Sequence, residues 1–250
     1  MKKISSSLIN KYHQEGWIKL VNFISNKRVS CTKKEIEKFL KKNIVKYGGR
    51  DINFSKKYRN MNLMNSFHKL KDVSLIRSYG EKKKVKKIVS KFLNNKKAKL
   101  QASELFAKPA VYGLAVPEHQ DNYYWNIKNN NALTVWIALD KSSKSNGGVY
   151  YYSKSHKFGV LDHKKSFMKG SSQKIKNSLI LKKFKKIFPK LNPGDALFHH
   201  CNVIHGSGKN YSKKNRKGWT LQYKQSYAKY DLFKRKRYLR ELKSQISQTI

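Results

Sequence analysis

A short motif, His119-Gln120-Asp121, constrains the fold more than any other part of the chain, because His205 follows it 84 residues after Asp121. In an extended strand, residues i and i+2 point to the same face, so His119 and Asp121 can reach one ion together. His205 must then arrive from a distant strand, which a rolled-up antiparallel sheet supplies. Two imidazoles and one carboxylate are the ligand set of a non-haem Fe(II) site that keeps other coordination positions open.

The residues before His205 support a metal role, although an isolated H-x-D triplet is more often structural. Pro193-Gly194-Asp195 is typical of a turn. Residues 196–204 are a mostly apolar run of strand length, and His205 lies at its end. Gly206 follows, where the backbone can approach a ligand closely.

Short β-rich runs separated by turn clusters begin at about residue 98. They predict a mainly β fold, either a sandwich or a barrel. The runs cover residues 104–107, 111–116, 133–139, 148–152, 196–200 and 218–226.

The first 97 residues predict mostly helices with one strand. A helix is expected at 5–15 and a strand at 16–24. Thr32 and Glu35 form a capping box that should open a second helix, which ends at Gly48-Gly49. A further amphipathic helix is expected at 82–94.

A chain of 250 residues is expected to form a single domain, residues 1–250. Residues 1–97 would support a β core at 98–227. Residues 159–190 are polar and are expected to be an insertion between strands, a candidate lid over the site. Residues 228–250 are basic and predict a C-terminal helix.

Several ordered stretches together carry a resemblance to a known family. They are residues 117–125, 133–139, 146–148 with Ser155-His156, and 193–195 through His205-Gly206-Ser207 to Arg216. With them, the chain resembles the phytanoyl-CoA dioxygenase family of Fe(II)/2-oxoglutarate-dependent oxygenases. The resemblance implies a double-stranded β-helix core, a jelly-roll of cupin-like type with flanking helices. It also implies Fe(II), 2-oxoglutarate as co-substrate, and O2, with His119, Asp121 and His205 as the metal ligands.

The resemblance assigns further residues to the co-substrate. Arg216 would hold the distal carboxylate of 2-oxoglutarate, because its planar fork forms bidentate, charge-assisted pairs. Ser207 would hydrogen-bond the same carboxylate, Trp136 would form an aromatic wall, and Gln120 is a further candidate contact. Related halogenating enzymes lack the carboxylate of the motif, so Asp121 favours hydroxylation.

Candidate substrate contacts are His156 and four residues that follow the metal motif, Tyr123, Tyr124, Trp125 and Asn126. The alternatives are an aromatic-rich strand-end loop for these four and a structural role for His156. His199 and His200 are adjacent and face opposite sides of a strand, so at most one of them can approach the metal.

The charge of the chain is unusual, since 57 Lys and Arg against 14 Asp and Glu give +43. Such a balance is typical of proteins that bind nucleic acid or anionic membranes. Here the basic residues are spread from end to end, which favours background composition with modest steering of an anionic substrate. No basic-aromatic binding module is recognisable, so no specific nucleic-acid partner is expected.

The remaining composition predicts a cytoplasmic protein without a membrane span. Cys31 and Cys201 do not suit a disulfide-stapled secreted domain. No run of 18 apolar residues is present, and the first residues have no apolar signal-peptide core.

The expected activity is Fe(II)- and 2-oxoglutarate-dependent hydroxylation of a small metabolite, anionic or carrier-bound, with release of succinate and CO2. One alternative is a cupin-like metal enzyme that does not use 2-oxoglutarate, which would have no need of Arg216 and Ser207. Another is a basic protein that binds or modifies nucleic acid, which the charge permits.

Overall fold

The computed structural model describes residues 4–56, 60–168 and 170–246. Its α-helices are α1 (Ser6–Glu15), α2 (Asn26–Asn43), α3 (Ser74–Glu81), α4 (Lys83–Phe92), α5 (Asp121–Trp125) and α6 (Leu232–Ile246). Its β-strands are β1 (Trp17–Leu20), β2 (Ile52–Phe54), β3 (Met64–Phe67), β4 (Ala98–Lys108), β5 (Val116–His119), β6 (Ala132–Ala138), β7 (Val149–Tyr152), β8 (His163–Met168), β9 (Ser171–Ile175), β10 (Lys186–Ile187), β11 (Ala196–His200), β12 (His205–Ser207) and β13 (Arg216–Gln225).

Two antiparallel sheets form the centre of the molecule. The larger has seven strands in the order β1-β11-β6-β13-β4-β3-β2, and the smaller has four in the order β10-β7-β12-β5. Their inner faces meet where Trp136 and Leu197 of the large sheet pack with Tyr151 and Val203. This pair of facing sheets with flanking helices is the jelly-roll core that the sequence predicts.

The main hydrophobic core lies on the other face of the large sheet, against α1–α4. Trp219 and Leu221 of β13 pack there with Ile36 of α2 and Val89 of α4. Because side chains alternate along a strand, Arg216, Gly218, Thr220 and Gln222 of β13 point to the inner side. The helices therefore cover the apolar face, and the inner face is left for polar side chains.

The second helix begins earlier than the sequence predicts. Ser25 caps α2 by accepting a hydrogen bond from the Arg28 N–H, seven residues before the expected cap at Thr32. Thr32 is buried within the helix, so the predicted Thr32–Glu35 capping box was wrong. The helix also ends at Asn43 and continues as a 3₁₀ turn over Ile44–Lys46, well before Gly48-Gly49.

One strand prediction was also wrong. The expected strand at 111–116 is mostly irregular, because Val111 takes a left-handed φ of 65° and extended pairing begins only at Val116. The region before residue 98, predicted to be mostly helical with one strand, contains α1–α4, and besides β1 it contributes β2 and β3 to the large sheet. The last two are only three and four residues long, too short for alternation to be recognised.

The insertion at 159–190 contains the β8–β9 hairpin, a 3₁₀ segment at Ser178–Lys183 and the short strand β10. The expected C-terminal helix is α6, and the last four residues of that prediction, 247–250, lie outside the described residues. Among the described residues, no helix combines the length and apolar character that a membrane span requires.

Candidate metal and co-substrate site

The three candidate metal ligands meet at the edge of the small sheet. His119 ends β5, and His205 begins β12 as its antiparallel partner in register. The two imidazole centroids are 4.3 Å apart. Gln120 keeps an extended backbone (φ −122°, ψ 132°) before α5 begins, which turns Asp121 to the same side as His119. One ligand atom from each of the three residues lies within 4.8 Å of the others.

His205 reaches this position by a route that differs from the prediction. The expected single strand from Ala196 to Ile204 ends at His200 in the large sheet. A turn follows, closed by a hydrogen bond from the Val203 N–H to the His200 carbonyl. His205 then begins β12 in the small sheet. The chain thus crosses between the two sheets immediately before the ligand.

Both imidazoles are held in the orientation that metal binding requires. Nδ1 of His119 lies 2.8 Å from the Pro117 carbonyl, and Nδ1 of His205 lies 3.0 Å from the Val203 carbonyl. A carbonyl can only accept, so each Nδ1 carries the proton and each Nε2 offers its lone pair. Burial lowers the pKa of both histidines to about 4. They are therefore neutral at physiological pH.

One carboxylate oxygen of Asp121 is positioned by neighbours, and the other faces the imidazoles. Oδ2 accepts hydrogen bonds from Thr134 Oγ1 at 2.7 Å and His199 Nε2 at 3.0 Å. Oδ1 lies 3.9 Å from His119 Nε2 and 3.6 Å from His205 Nε2. Burial opposes ionisation of Asp121, but His205 and the His199 hydrogen bond outweigh it and hold its pKa below the usual value.

Two basic residues lie side by side in the cavity that the candidate metal ligands also line. Arg216 and Lys108 are Cα partners of β13 and β4, and their relative exposures are 1% and 3%. Arg216 donates to the carbonyls of Phe106 and Gly147, and its Nε has no hydrogen-bond partner among the described residues. Lys108 Nζ donates to the Leu114 carbonyl at 2.6 Å and the Gly208 carbonyl at 2.5 Å.

No carboxylate of the described residues lies within 4.0 Å of either cation. Burial lowers the pKa of Arg216 to about 9 and moves that of Lys108 well below its usual value. Buried charge without a counterion is costly. The pair therefore forms a site prepared for an anion.

Most of the predicted site residues line one cavity of about 890 Å³. The guanidinium of Arg216 lies 5.3 Å from the Trp136 ring centroid. That ring occupies the space above Gly218, where a Cβ atom would come within 1.9 Å of it. The predicted residues in the cavity wall are His119, Asp121, His205, Arg216, Ser207, Trp136, Tyr124 and Trp125.

Gln120 is not in the cavity wall, contrary to its predicted cofactor contact. Its buried amide donates to the carbonyls of Gly159 and Asn202 and accepts from the Leu161 N–H. These three hydrogen bonds connect the metal motif to the start of the insertion and to the turn before His205. Gln120 is thus a structural residue.

His156 and Tyr123 are also placed outside the cavity. His156 Nε2 lies 3.0 Å from the His13 carbonyl at the end of α1. Tyr123 stacks on His163 at 4.1 Å and donates its hydroxyl to Glu241 of α6. The metal motif continues into a helix, so Tyr124, which packs edge-on against His119, lines the cavity in place of Tyr123.

The sequence did not identify several residues that support the site. His199 is the one of the two adjacent histidines that faces the cluster, and the Tyr151 hydroxyl lies 2.9 Å from its Nδ1. Thr134 faces inward from β6. Both faces of this strand are buried, so the sequence has no alternation of polar and apolar residues that would show which side chains face the site. Lys108 is one of 57 basic residues, and only its register against Arg216 distinguishes it.

A family model for phytanoyl-CoA dioxygenase matches residues 12–218. A probable phytanoyl-CoA dioxygenase of Caenorhabditis elegans is 28% identical over 144 residues, covering 54% of this chain and 46% of that protein. A probable alpha-ketoglutarate-dependent hypophosphite dioxygenase of Stutzerimonas stutzeri is 29% identical over 153 residues, covering 60% and 51%. The chain spans about half the length of the curated relatives it matches.

Solved structures share the fold at low sequence identity. EctD from S. alaskensis, solved with 2-oxoglutarate and 5-hydroxyectoine, has a TM-score of 0.74 at 18% identity, covering 91% of this chain and 78% of that one. SnoK, an alpha-ketoglutarate-dependent carbocyclase from nogalamycin biosynthesis, has a TM-score of 0.73 at 17% identity, covering 91% and 86%. These similarities confirm the predicted fold class.

Proposed function

The chain belongs to the phytanoyl-CoA dioxygenase family, and from this premise we propose that it is an Fe(II)- and 2-oxoglutarate-dependent dioxygenase. The observation that carries the proposal is a single cavity that contains both the histidine–carboxylate cluster and two buried basic side chains, which have no carboxylate within 4.0 Å among the described residues. The first suits a divalent metal and the second suits an anionic co-substrate.

The donor set fits Fe(II). Nε2 of His119, Nε2 of His205 and Oδ1 of Asp121 would hold the ion, since their other polar atoms are already occupied by protein partners. Two neutral imidazoles and one carboxylate leave coordination positions open for co-substrate and O2. When bound, Fe(II) with 2-oxoglutarate and O2 supplies an oxidant for C–H bonds, with succinate and CO2 as products.

The protein's own groups bind and orient the co-substrate. Arg216 would take the distal carboxylate of 2-oxoglutarate, with Lys108 adding positive charge beside it. Ser207 and Trp136 line the same part of the cavity. The basic composition of the chain predicts that the protein attracts an anion. We attribute this preference to 2-oxoglutarate and not to the substrate that is oxidised.

The reaction on the second substrate is proposed to be hydroxylation, because Asp121 occupies the carboxylate position of the motif. The substrate is a small molecule, and no specific nucleic-acid partner is included in the proposal. A cytoplasmic location likewise remains part of the proposal.

The proposal is tested by titrating 2-oxoglutarate into the Fe(II)-loaded full chain without oxygen, by calorimetry. We expect Arg216→Met to weaken 2-oxoglutarate binding by about 100-fold or more, because removing one member of a buried charge pair costs about 3–5 kcal/mol. Fe(II) affinity should change much less. The exposed Arg77 provides a matched control as Arg77→Met.

Iron binding without measurable 2-oxoglutarate binding in the unmodified chain would contradict the proposal. That result would favour the cupin-like alternative, a metal enzyme that does not use this co-substrate.

A further inference from the structure

A second polar cluster lies on the inner face of the large sheet, away from the cations. Glu104 of β4 is fixed at both carboxylate oxygens: Oε1 lies 2.9 Å from His68 Nδ1, and Oε2 accepts from Gln222 Nε2 at 2.7 Å. His68 is held in turn by Ser66, whose Oγ lies 3.0 Å from Nε2. All four residues line the same cavity as the metal cluster.

Strand register separates this cluster from the co-substrate end. Glu104 precedes Lys108 by four residues on β4, a displacement of about 13 Å at ~3.3 Å per residue. Gln222 is the Cα partner of Thr134 on β6, and Thr134 donates to Asp121. The Glu104 cluster therefore lies next to the metal cluster, and about 13 Å along β4 from Lys108.

The Glu104 carboxylate faces the cavity with lone pairs that can accept further hydrogen bonds. The side chain of Glu104 is 19% exposed, and among the described residues each carboxylate oxygen accepts one side-chain hydrogen bond, so further lone pairs remain. Burial disfavours a charged His68, but Glu104 outweighs it and raises the pKa of His68. The cluster thus offers a firmly positioned acceptor, with the aromatic side chains of Phe106 and Tyr124 also in the wall.

An acidic group in this place is selective. A carboxylate or phosphate on the substrate would find repulsion and no donor on Glu104, whereas an N–H or O–H group would complete a charge-assisted hydrogen bond. An unsubstituted hydrocarbon would exclude water from the remaining lone pairs of Glu104 and offer them no donor, which is unfavourable.

We infer that Glu104, positioned by His68 and Gln222, is the substrate-recognition residue, and that the substrate presents an amine or hydroxyl group to it. The inference rests on the proposed function, because that proposal identifies the reacting end of the cavity. The substrate class is then a small amine or alcohol with an apolar body that packs on Phe106 and Tyr124.

The test uses three probes of matched shape: cyclohexylamine, cyclohexanol and cyclohexanecarboxylate. Their binding to the full chain is measured by ligand-observed NMR in the presence of 2-oxoglutarate. We expect the amine and the alcohol to bind about tenfold more tightly than the carboxylate, which corresponds to the contribution of one good hydrogen bond.

Variants separate the roles of charge and hydrogen bonding. Glu104→Gln keeps an acceptor but loses the charge, so the alcohol should bind within about threefold of its original affinity while the amine loses its advantage. Glu104→Ala should weaken both by about tenfold. Glu37→Ala, which removes an exposed acid paired with Lys41, is the control for net charge and should change neither.

The inference is overturned if the carboxylate binds the unmodified chain as tightly as the amine, or if none of the probes binds. It is also overturned if Glu104→Gln, which is isosteric and needs only a rotation of the Gln222 amide, behaves as Glu37→Ala does for the amine. Calorimetric binding of 2-oxoglutarate in the same samples distinguishes the cases. If 2-oxoglutarate still binds, only the inference about Glu104 is rejected. If 2-oxoglutarate does not bind, the proposed function is rejected as well.

Discussion

Oδ2 of Asp121 is occupied by Thr134 and His199, so only Oδ1 is available to a metal ion. As a result, Oδ1 is directed at Nε2 of His119 and Nε2 of His205. A metal ligand that is fixed by protein hydrogen bonds loses little conformational freedom on binding, so the affinity of the site depends on residues that do not touch the ion.

Replacing His119, Asp121 or His205 by Ala should each abolish Fe(II)-dependent turnover while leaving the fold largely intact. Each residue would supply one of three ligand atoms, and none of the three belongs to the main hydrophobic core. Fe(II) binding by calorimetry and far-UV circular dichroism check the two halves of this prediction. Near-normal turnover at low iron by any variant would remove that residue from the ligand set.

Thr134→Val should weaken Fe(II) binding by about tenfold, the lower end of the range for residues that orient a metal ligand. The substitution removes the hydroxyl that holds Asp121 Oδ2 and keeps the side-chain shape. Thr32→Val is the matched control, because the buried Thr32 hydroxyl has no hydrogen-bond partner in the part of the chain that the structure describes. Equal Fe(II) affinities for the two variants would show that Thr134 does not position Asp121.

Among the elements around the cavity, the β8–β9 hairpin is attached to the metal motif through a neutral histidine. His163 Nδ1 lies 2.9 Å from the Leu161 carbonyl, and its Nε2 accepts from the Gln120 N–H. Protonation of Nε2 would abolish the second bond. Burial lowers the pKa of His163 to about 3.

This histidine should make the fold sensitive to acid. Its folded pKa of about 3 lies below its unfolded value of ~6.5. The folded state therefore binds fewer protons, and the contribution of His163 is complete above pH ~6.5 and falls as pH decreases towards 3, by at most about 1.4 kcal/mol per pH unit. Urea unfolding at pH 7.5 and pH 5 should show a smaller loss of stability for His163→Gln than for the unmodified chain. An identical loss would contradict the assignment.

Elements with a strong local signal could be predicted from the sequence, and elements defined by pairing could not. The apolar stripe of α4 and the run that forms β11 carry their own periodicity. In contrast, β2 and β3 become strands only because β4 pairs with β3. Ser25 and Thr32 are both good caps by residue type, and the burial of Thr32 against the core decides between them.

For the molecule as a whole, the motifs identified the family, the fold class and the residues that now lie together around the cavity. Lys108 and Glu104 were missed because their roles come from register: Lys108 opposes Arg216, and Glu104 opposes Thr220. Tyr123 was misplaced because a helix begins at Asp121 and turns Tyr123 away from the cavity.

The charge of +43 should produce weak, non-selective binding to polyanions. Lysines occur on the exposed faces of most segments, so such binding would rest on counterion release and should fall by about two orders of magnitude or more between ~50 and ~200 mM salt. Binding of 2-oxoglutarate should change far less, because a buried site is screened less. Filter binding with duplex DNA and calorimetry compare the two. A sequence-selective complex that persists at physiological salt would overturn this view.

Arg216 and Lys108 also bear on how long the protein survives in a cell. Burial disfavours positive charge on both side chains, and Arg216 disfavours it further on Lys108, so the empty molecule carries a cost that a bound dicarboxylate removes. A ligand at 100 times its dissociation constant stabilises the folded state by about 2.7 kcal/mol, and proteases act on the fraction that unfolds. When 2-oxoglutarate is scarce, the enzyme should therefore be degraded faster, and its abundance would follow the supply of its co-substrate.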